Sequence, residues 1–256
     1  MEGVAPHMNA PVIDKARILD AVRDVTAITP NRPELALTML AAAYTAPLRL
    51  DVRPVLWLQG DGAVMHRLKD IVRHSQRGTL SMGTRYNDLC DVHRFTSRAS
   101  GVIVMDDERE TEDGPGTTLI LRAMQLSTGT GQNRPLLVVR SPYSPPETLP
   151  GVEVVHLVAA PEDLDASAYD RWFRRYALED GPLDDFANAY AAAVASNAEN
   201  LAAERDAIPL PALVQGLSTF DAFTESYAGV RFEQRELFEL IDLVWPGEDD
   251  PELPYA

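Results

Sequence analysis

Gly101-Val102-Ile103-Val104-Met105-Asp106-Asp107-Glu108 runs four apolar residues straight into paired acids. A strand that is apolar on both faces belongs inside a parallel sheet. Ligands of open α/β sheets bind beyond the carboxyl ends of such strands. In nucleotide-hydrolysing proteins, carboxylates at that position hold a metal ion and orient a water. Asp106 and Asp107 are therefore the candidate catalytic residues. Asp106 would ligate the metal water and Asp107 would orient it. The plainer alternative is that the pair ends a strand and caps a loop. The catalytic reading requires a phosphate-cradling loop upstream.

One candidate loop exists. Val55-Leu56-Trp57-Leu58 reads as a strand and Ala63 to Gln76 as a helix, with Gly60-Asp61-Gly62-Ala63-Val64-Met65-His66-Arg67 at their junction. A working loop of this kind reads GxxxxGK[ST]: its amides wrap the phosphates, its lysine pairs with them and its hydroxyl holds magnesium. Counting from Gly60, Met65 replaces the second glycine, His66 the lysine and Arg67 the hydroxyl. A lost charge-assisted hydrogen bond costs about 1.5–3 kcal/mol, and an arginine cannot ligate magnesium. The candidate nucleotide-binding residues are thus Gly60, Gly62, His66 and Arg67, in a damaged setting that makes ATP and magnesium weak cofactors. The alternative for His66 is a solvent-facing side chain. For the loop as a whole it is an ordinary strand-to-helix turn.

Further apolar runs at Leu136–Val139 and Val152–Val158, with a short one at Thr79–Met82, alternate with helical patterns at residues 86–97 and 117–126. That alternation predicts a parallel sheet covered on both faces. Before it, apolar spacing predicts a helix over 11–29 and another over 33–46, with Asn31 near the cap and Pro33 in the first turn. After about residue 165 the strand-type runs stop and three amphipathic helices follow, marked by Leu183 to Leu201, Leu210 to Phe220 and Phe232 to Val244. The expected organisation is an N-terminal helical segment (1–50), an α/β core (51–164), a C-terminal helical segment (165–245) and an acidic tail (246–256).

The 256 residues carry a formal net charge of −16. Such a surface repels phosphate backbones, so direct nucleic-acid binding by the isolated chain is not expected. A single cysteine, Cys90, excludes an internal disulfide and a cysteine zinc site, and the five histidines show no metal-ligand spacing, so no metal centre is expected. No apolar run reaches the roughly 18 residues that span a bilayer. The expectation is a cytoplasmic protein without membrane contact.

Taken in order, several stretches resemble one family. Pro33-Glu34-Leu35-Ala36-Leu37, Ala41 to Leu48 and Val55 to Gly60 resemble the entry to the ATPase domain of superfamily-III-like primase-helicases, found in phages, plasmids and integrative elements of high-GC bacteria. Ala99 to Asp107 is similar to the acid-bearing (Walker B) strand of that family. Leu121-Arg122-Ala123 with Gly129, Gly131 and Arg134 is similar to its Gly/Arg loop, and Leu136 to Ser141 to its sensor strand. Pro211 to Leu217 resembles a helix of its C-terminal lid. The resemblance implies a P-loop NTPase (AAA-like) three-layer core between N-terminal helices and a C-terminal helical lid. It also implies homo- or hetero-oligomers and a link to DNA replication of a mobile element or phage, with replication or host proteins as partners. Arg134 and Arg140 are then candidate trans-acting arginines, against the plain reading of surface arginines. The substitutions at 65–67 point to a pseudo-ATPase acting as a non-hydrolysing subunit or regulator. The alternatives are an active ATPase with a remodelled loop, or an acidic interaction or inhibitor protein. Under any P-loop reading, the acids at 106–107 should face the Gly60–Arg67 turn across adjacent parallel strands.

One motif stands outside that scheme. Arg171-Trp172-Phe173-Arg174-Arg175-Tyr176 mixes basic and aromatic residues. It reads either as a stacking platform for nucleic acid or as a helix that buries its rings and solvates its arginines.

Overall fold

The computed structural model describes residues 17–48, 50, 53–76, 79–85, 87–98, 101–112, 114, 116–128, 134–146, 152–178, 182–197 and 211–245. The expected acidic tail, the helix start at 11–16 and the Gly129–Asn133 loop lie outside them.

Five runs rich in Val, Leu and Ile form strands: β1 (Val55–Gly60), β2 (Leu80–Gly83), β3 (Val102–Asp106), β4 (Leu136–Ser141) and β5 (Val154–Ala159). They pair in the order β2-β3-β4-β1-β5, every pair parallel. The helices are α1 (Arg17–Thr26), α2 (Pro33–Thr45), α3 (Gly62–Ser75), α4 (Leu89–Arg98), α5 (Thr117–Thr128), α6 (Ala166–Trp172), α7 (Pro182–Ser196), α8 (Ala212–Ala228) and α9 (Gln234–Val244).

The strand order fixes the layers. From β1 the chain crosses to the far edge at β2, then steps back through β3 and β4. Right-handed crossovers travelling in opposite directions put their helices on opposite faces. Accordingly, Leu56, Leu58, Val104 and Val138 pack with Leu68, Ile71 and Val72 of α3, whereas Val55, Trp57, Ile103, Met105 and Val139 pack with Val92 of α4 and Ile120, Ala123 and Met124 of α5. The result is a three-layer α/β sandwich whose layout fits a P-loop NTPase core, flanked by helices from both ends of the chain.

Those flanking helices build the larger half of the core. In α2, Leu35 through Thr45 are all buried, because this helix is apolar on every side and other elements surround it. It packs against α1, α3, α8 and α9. Gly216 of α8 sits so close to α2 that a Cβ there would stand 2.2 Å from Thr45 Oγ1 and 2.9 Å from the Ala41 carbonyl. Thr45 Oγ1 donates to the Ala41 carbonyl at 2.8 Å, and the Ala212 carbonyl lies 3.2 Å away. Past the end of α2, the buried Arg53 guanidinium donates to the carbonyls of Ala46, at 2.9 Å, and Leu48. Burial lowers its pKa to about 10, which leaves it charged at neutral pH to complement the helix end.

Two local expectations differ from the structure. Asn31 does not cap α2: Arg32 holds the N-cap position without a side-chain capping bond, and Asn31 Nδ2 donates to the Glu162 carbonyl 3.1 Å away. β5 is an edge strand rather than a strand covered on both faces, so Val158 is 48% exposed and His156 lies in solvent. After α6 the backbone widens into a π-turn over Phe173–Ala177.

Candidate functional site

The switch from one face to the other falls between β1 and β4. The chain leaves β1 toward the α3 face, and β4 is reached from the α5 face. A crevice beyond the carboxyl ends of these two strands is where an open α/β sheet binds its ligand. Of the expected site residues, Gly60, Gly62, Asp106, Asp107 and Arg140 lie at or just beyond the carboxyl ends of β1, β3 and β4, whereas Arg134 precedes β4, at the opposite end of that strand.

Asp106 and the Gly60–Arg67 turn are not on adjacent strands, which corrects the expectation above. β4 lies between them, with Asp106 in register with Arg140 and Arg140 in register with Leu58. Two strand spacings separate β3 from β1, about 10 Å. Apolar runs identify strands but carry no information about which strand neighbours which.

The interposed strand decides what Asp106 does. Arg140 Nε donates to Asp106 Oδ1 at 2.5 Å, and both side chains are largely shielded. Asp107 is held more tightly. Arg109 grips it with two parallel hydrogen bonds, Nε to Oδ1 at 2.7 Å and Nη2 to Oδ2 at 2.6 Å, while Ser141 Oγ donates to Oδ2 at 2.5 Å. The Asp107 side chain is fully buried and that of Arg109 is 3% exposed. The remaining Arg109 nitrogen, Nη1, donates to Thr117 Oγ1 at 2.6 Å and to the Glu112 carbonyl, and the guanidinium lies over the Tyr143 ring with 5.2 Å to its centroid. A buried ion pair survives only when its remaining donors and acceptors are satisfied, and here they are.

The strand-to-helix junction is one residue long. β1 ends at Gly60 and α3 begins at Gly62, with Asp61 between them as N-cap. Asp61 Oδ1 accepts from the amides of Ala63 at 2.8 Å and Val64 at 3.2 Å. A helix start offers its unpaired amides to an anion. Here a carboxylate of the chain itself already takes two of them and adds a negative charge. Gly60 is required for a different reason: its φ is +136°, and a Cβ would stand 1.9 Å from the Ala159 carbonyl of β5. A Cβ on Gly62 would meet nothing within 4 Å.

His66 and Arg67 lie one turn into α3 and face different neighbours. His66 is exposed, with Nε2 3.5 Å from Asp70 Oδ2. Arg67 packs over the Tyr169 ring of α6, 5.4 Å from its centroid, with its Nε buried and unbonded. Tyr169 donates to Asp70 Oδ2 at 3.2 Å, and burial, then the Asp70 charge, push its pKa up. Of the two candidate trans-acting arginines, Arg140 is bound to Asp106 and Arg134 donates from Nη1 to the Leu126 carbonyl.

ATP with magnesium would need free amides at the start of α3 and a carboxylate open to a cation. The residues present do not fit it: Asp61 occupies the amides, and Arg140 and Arg109 neutralise the acids. Among the described residues no group of three or more His, Cys, Asp or Glu side chains could hold a metal ion. Among them, too, no helix is long and apolar enough to cross a membrane.

Arg109, Tyr143 and Thr117 were not singled out by the sequence, and Ser141 appeared there only as the end of the sensor-like strand. The Asp61 cap was visible in principle, since an aspartate directly ahead of a helical pattern is a start signal. The two-residue step from Asp107 to Arg109 was a weaker one.

No protein-family model matches this chain, and no curated protein matches it. Among solved structures, a full-length MCM homologue from Methanopyrus kandleri is similar to it at 15% identity and a TM-score of 0.38, over 95% of this chain and 62% of that one. The chain thus spans less than two thirds of the length of that neighbour.

Proposed function

We propose that the chain is a degenerate P-loop ATPase-like protein of a mobile element or phage, a non-hydrolysing subunit or regulator that works through protein contacts in DNA replication. One observation carries this reading: the groups that would receive phosphate and metal are bonded to the chain itself. Asp61 caps α3, and Asp106 and Asp107 are held by Arg140 and Arg109. The sheet order and the helices on both faces supply the P-loop-like frame. The resemblance of residues 33–230 to primase-helicase ATPase domains supplies the biological setting and the expectation of homo- or hetero-oligomers with replication or host proteins.

Isothermal titration of the full chain with ATP-magnesium tests it. The expected result is no saturable binding below about 1 mM, a threshold of roughly −4 kcal/mol. Micromolar binding that Asp106→Ala abolishes would overturn the reading and restore an active ATPase.

A further inference from the structure

The arginines of the 171–176 motif line a cavity of about 510 Å³ between α1 and α6, together with Asp24, Ala27, Ala168 and Trp172. Trp172 and Tyr176 are buried, with Trp172 Nε1 donating to the Ala21 carbonyl at 2.9 Å and Tyr176 to Asp24 at 2.6 Å. No stacking platform for bases is left, which removes the main non-electrostatic attraction for single strands. What remains is cationic. Arg175 pairs with Asp24 at 3.2 Å. Arg171 and Arg174 are exposed and meet no carboxylate among the described residues, although the chain as a whole carries a net charge of −16.

The complementary feature is on the same chain. Beyond β3, Glu110 and Glu112 are exposed, and their carboxylates pair with no basic side chain among the described residues. Their loop is pinned: Arg109, between Asp107 and Glu110, donates to the Glu112 carbonyl and to Thr117, and Thr117 Oγ1 lies 2.8 Å from the Gly114 carbonyl. The arginine that neutralises Asp107 therefore also fixes the backbone at Glu112. Two residues apart, their Cα atoms are separated by at most about 7 Å. Arg171 lies in the last turn of α6 and Arg174 in the π-turn that follows it, and both line the same cavity. β3 and β5, which lead to the acidic loop and to α6, are three strand positions apart, about 14 Å. Loop and groove are thus distinct surfaces, and a contact between them on two copies is head-to-tail.

We infer that the Arg171/Arg174 groove of one copy receives the Glu110/Glu112 loop of a second copy of this chain. The inference rests on the protein-contact part of the proposed function, and it is independent of whether nucleotide binds.

Sedimentation of the full chain without nucleotide tests it, with urea unfolding to verify that each variant folds. At low salt the wild-type chain should self-associate, and 0.5 M salt should weaken it by screening. Arg171→Glu with Arg174→Glu should lower the association constant about tenfold or more, as should Glu110→Arg with Glu112→Arg. An equimolar mixture of the two variants, or both swaps in one chain, should restore association to within about threefold of wild type. If a reversal unfolds the protein, Arg171→Gln with Arg174→Gln takes its place, with the same expected direction. A wild-type chain that stays monomeric at about 0.1 mM, association that ignores the reversals, or a mixture that fails to recover would each overturn the inference. Recruitment of an acidic peptide or of single-stranded DNA by a monomeric wild-type chain would place a different occupant in the groove and overturn it as well. ATP binding would upset the preceding section and leave this result standing.

Discussion

Replacing Arg109 with methionine keeps much of the side-chain length and removes both hydrogen bonds to the Asp107 carboxylate. That carboxylate is fully buried, and its other side-chain partner is the Ser141 hydroxyl at 2.5 Å. Breaking a buried pair from one side strands a charge, at about 3–5 kcal/mol, against about 0.2–1 kcal/mol for an exposed pair. The upper range applies here because the arginine is 3% exposed and also holds the Glu112 carbonyl and Thr117. For a chain of this size each kcal/mol moves the melting temperature by roughly 2–4 °C, so the expected fall is about 6–20 °C. Asp107→Asn removes the charge instead. In the double variant neither charge is left unpaired, so a double-mutant cycle by urea denaturation should return a coupling of about 2–3 kcal/mol. A loss under about 1 kcal/mol for Arg109→Met with coupling near zero would refute the argument that the pair is a buried staple. It would also return Asp107 to the list of available acids.

Asp61→Ala should cost about 1 kcal/mol in urea unfolding, with Asp61→Asn retaining most of the cap; an unchanged midpoint would mean that the α3 amides do not depend on the carboxylate. Gly216→Ala should destabilise by about 1–3 kcal/mol, because the added methyl meets α2 backbone and Thr45 where the two helices touch; a neutral result would contradict that close approach. The Arg23–Glu236 pair gives a pH signature. Arg23 depresses the Glu236 pKa below its usual 4.5, so its stabilisation is present above that value and is lost as pH falls through the folded-state pKa. Both side chains are partly exposed, which limits the effect to about 1 kcal/mol or less. Glu236→Gln should therefore be slightly less stable than wild type at pH 7, and the difference should close in strong acid. A difference that grows on acidification would rule the pairing out.

Much of the local structure was legible because it depends on near neighbours. The consecutive apolar residues at 55–58, 102–105 and 136–139 could be satisfied only by burial on both faces, and each proved to be a sheet strand. The sequence predicted α2 as a helix, but its burial from Leu35 through Thr45 was set by the elements packed around it. Val152–Val158 misled because an edge strand and a central strand can carry similar residues, and only the partner on its far side distinguishes them. At the candidate site, Met65, His66 and Arg67 were legible as departures from a phosphate-loop pattern, but the one-residue junction depended on where β1 ended and α3 began. That boundary was set by Gly60 passing the Ala159 carbonyl, a contact 99 residues away.

The sequence by itself determined that this is an α/β chain, that strand β3 ends in two acids and that the upstream junction lacks the lysine and hydroxyl of a phosphate loop. These follow from hydrophobic periodicity and from the chemistry of single side chains, which act over a few residues. Tertiary structure decided the fate of the acids. Placing β4 between β3 and β1 set Arg140 beside Asp106 and Ser141 beside Asp107, 34 residues along the chain. The same fold enclosed Arg109 between Asp107 and Tyr143. Whether a carboxylate meets a cation or an arginine depends on long-range strand order, and strand order is an outcome of packing the whole chain.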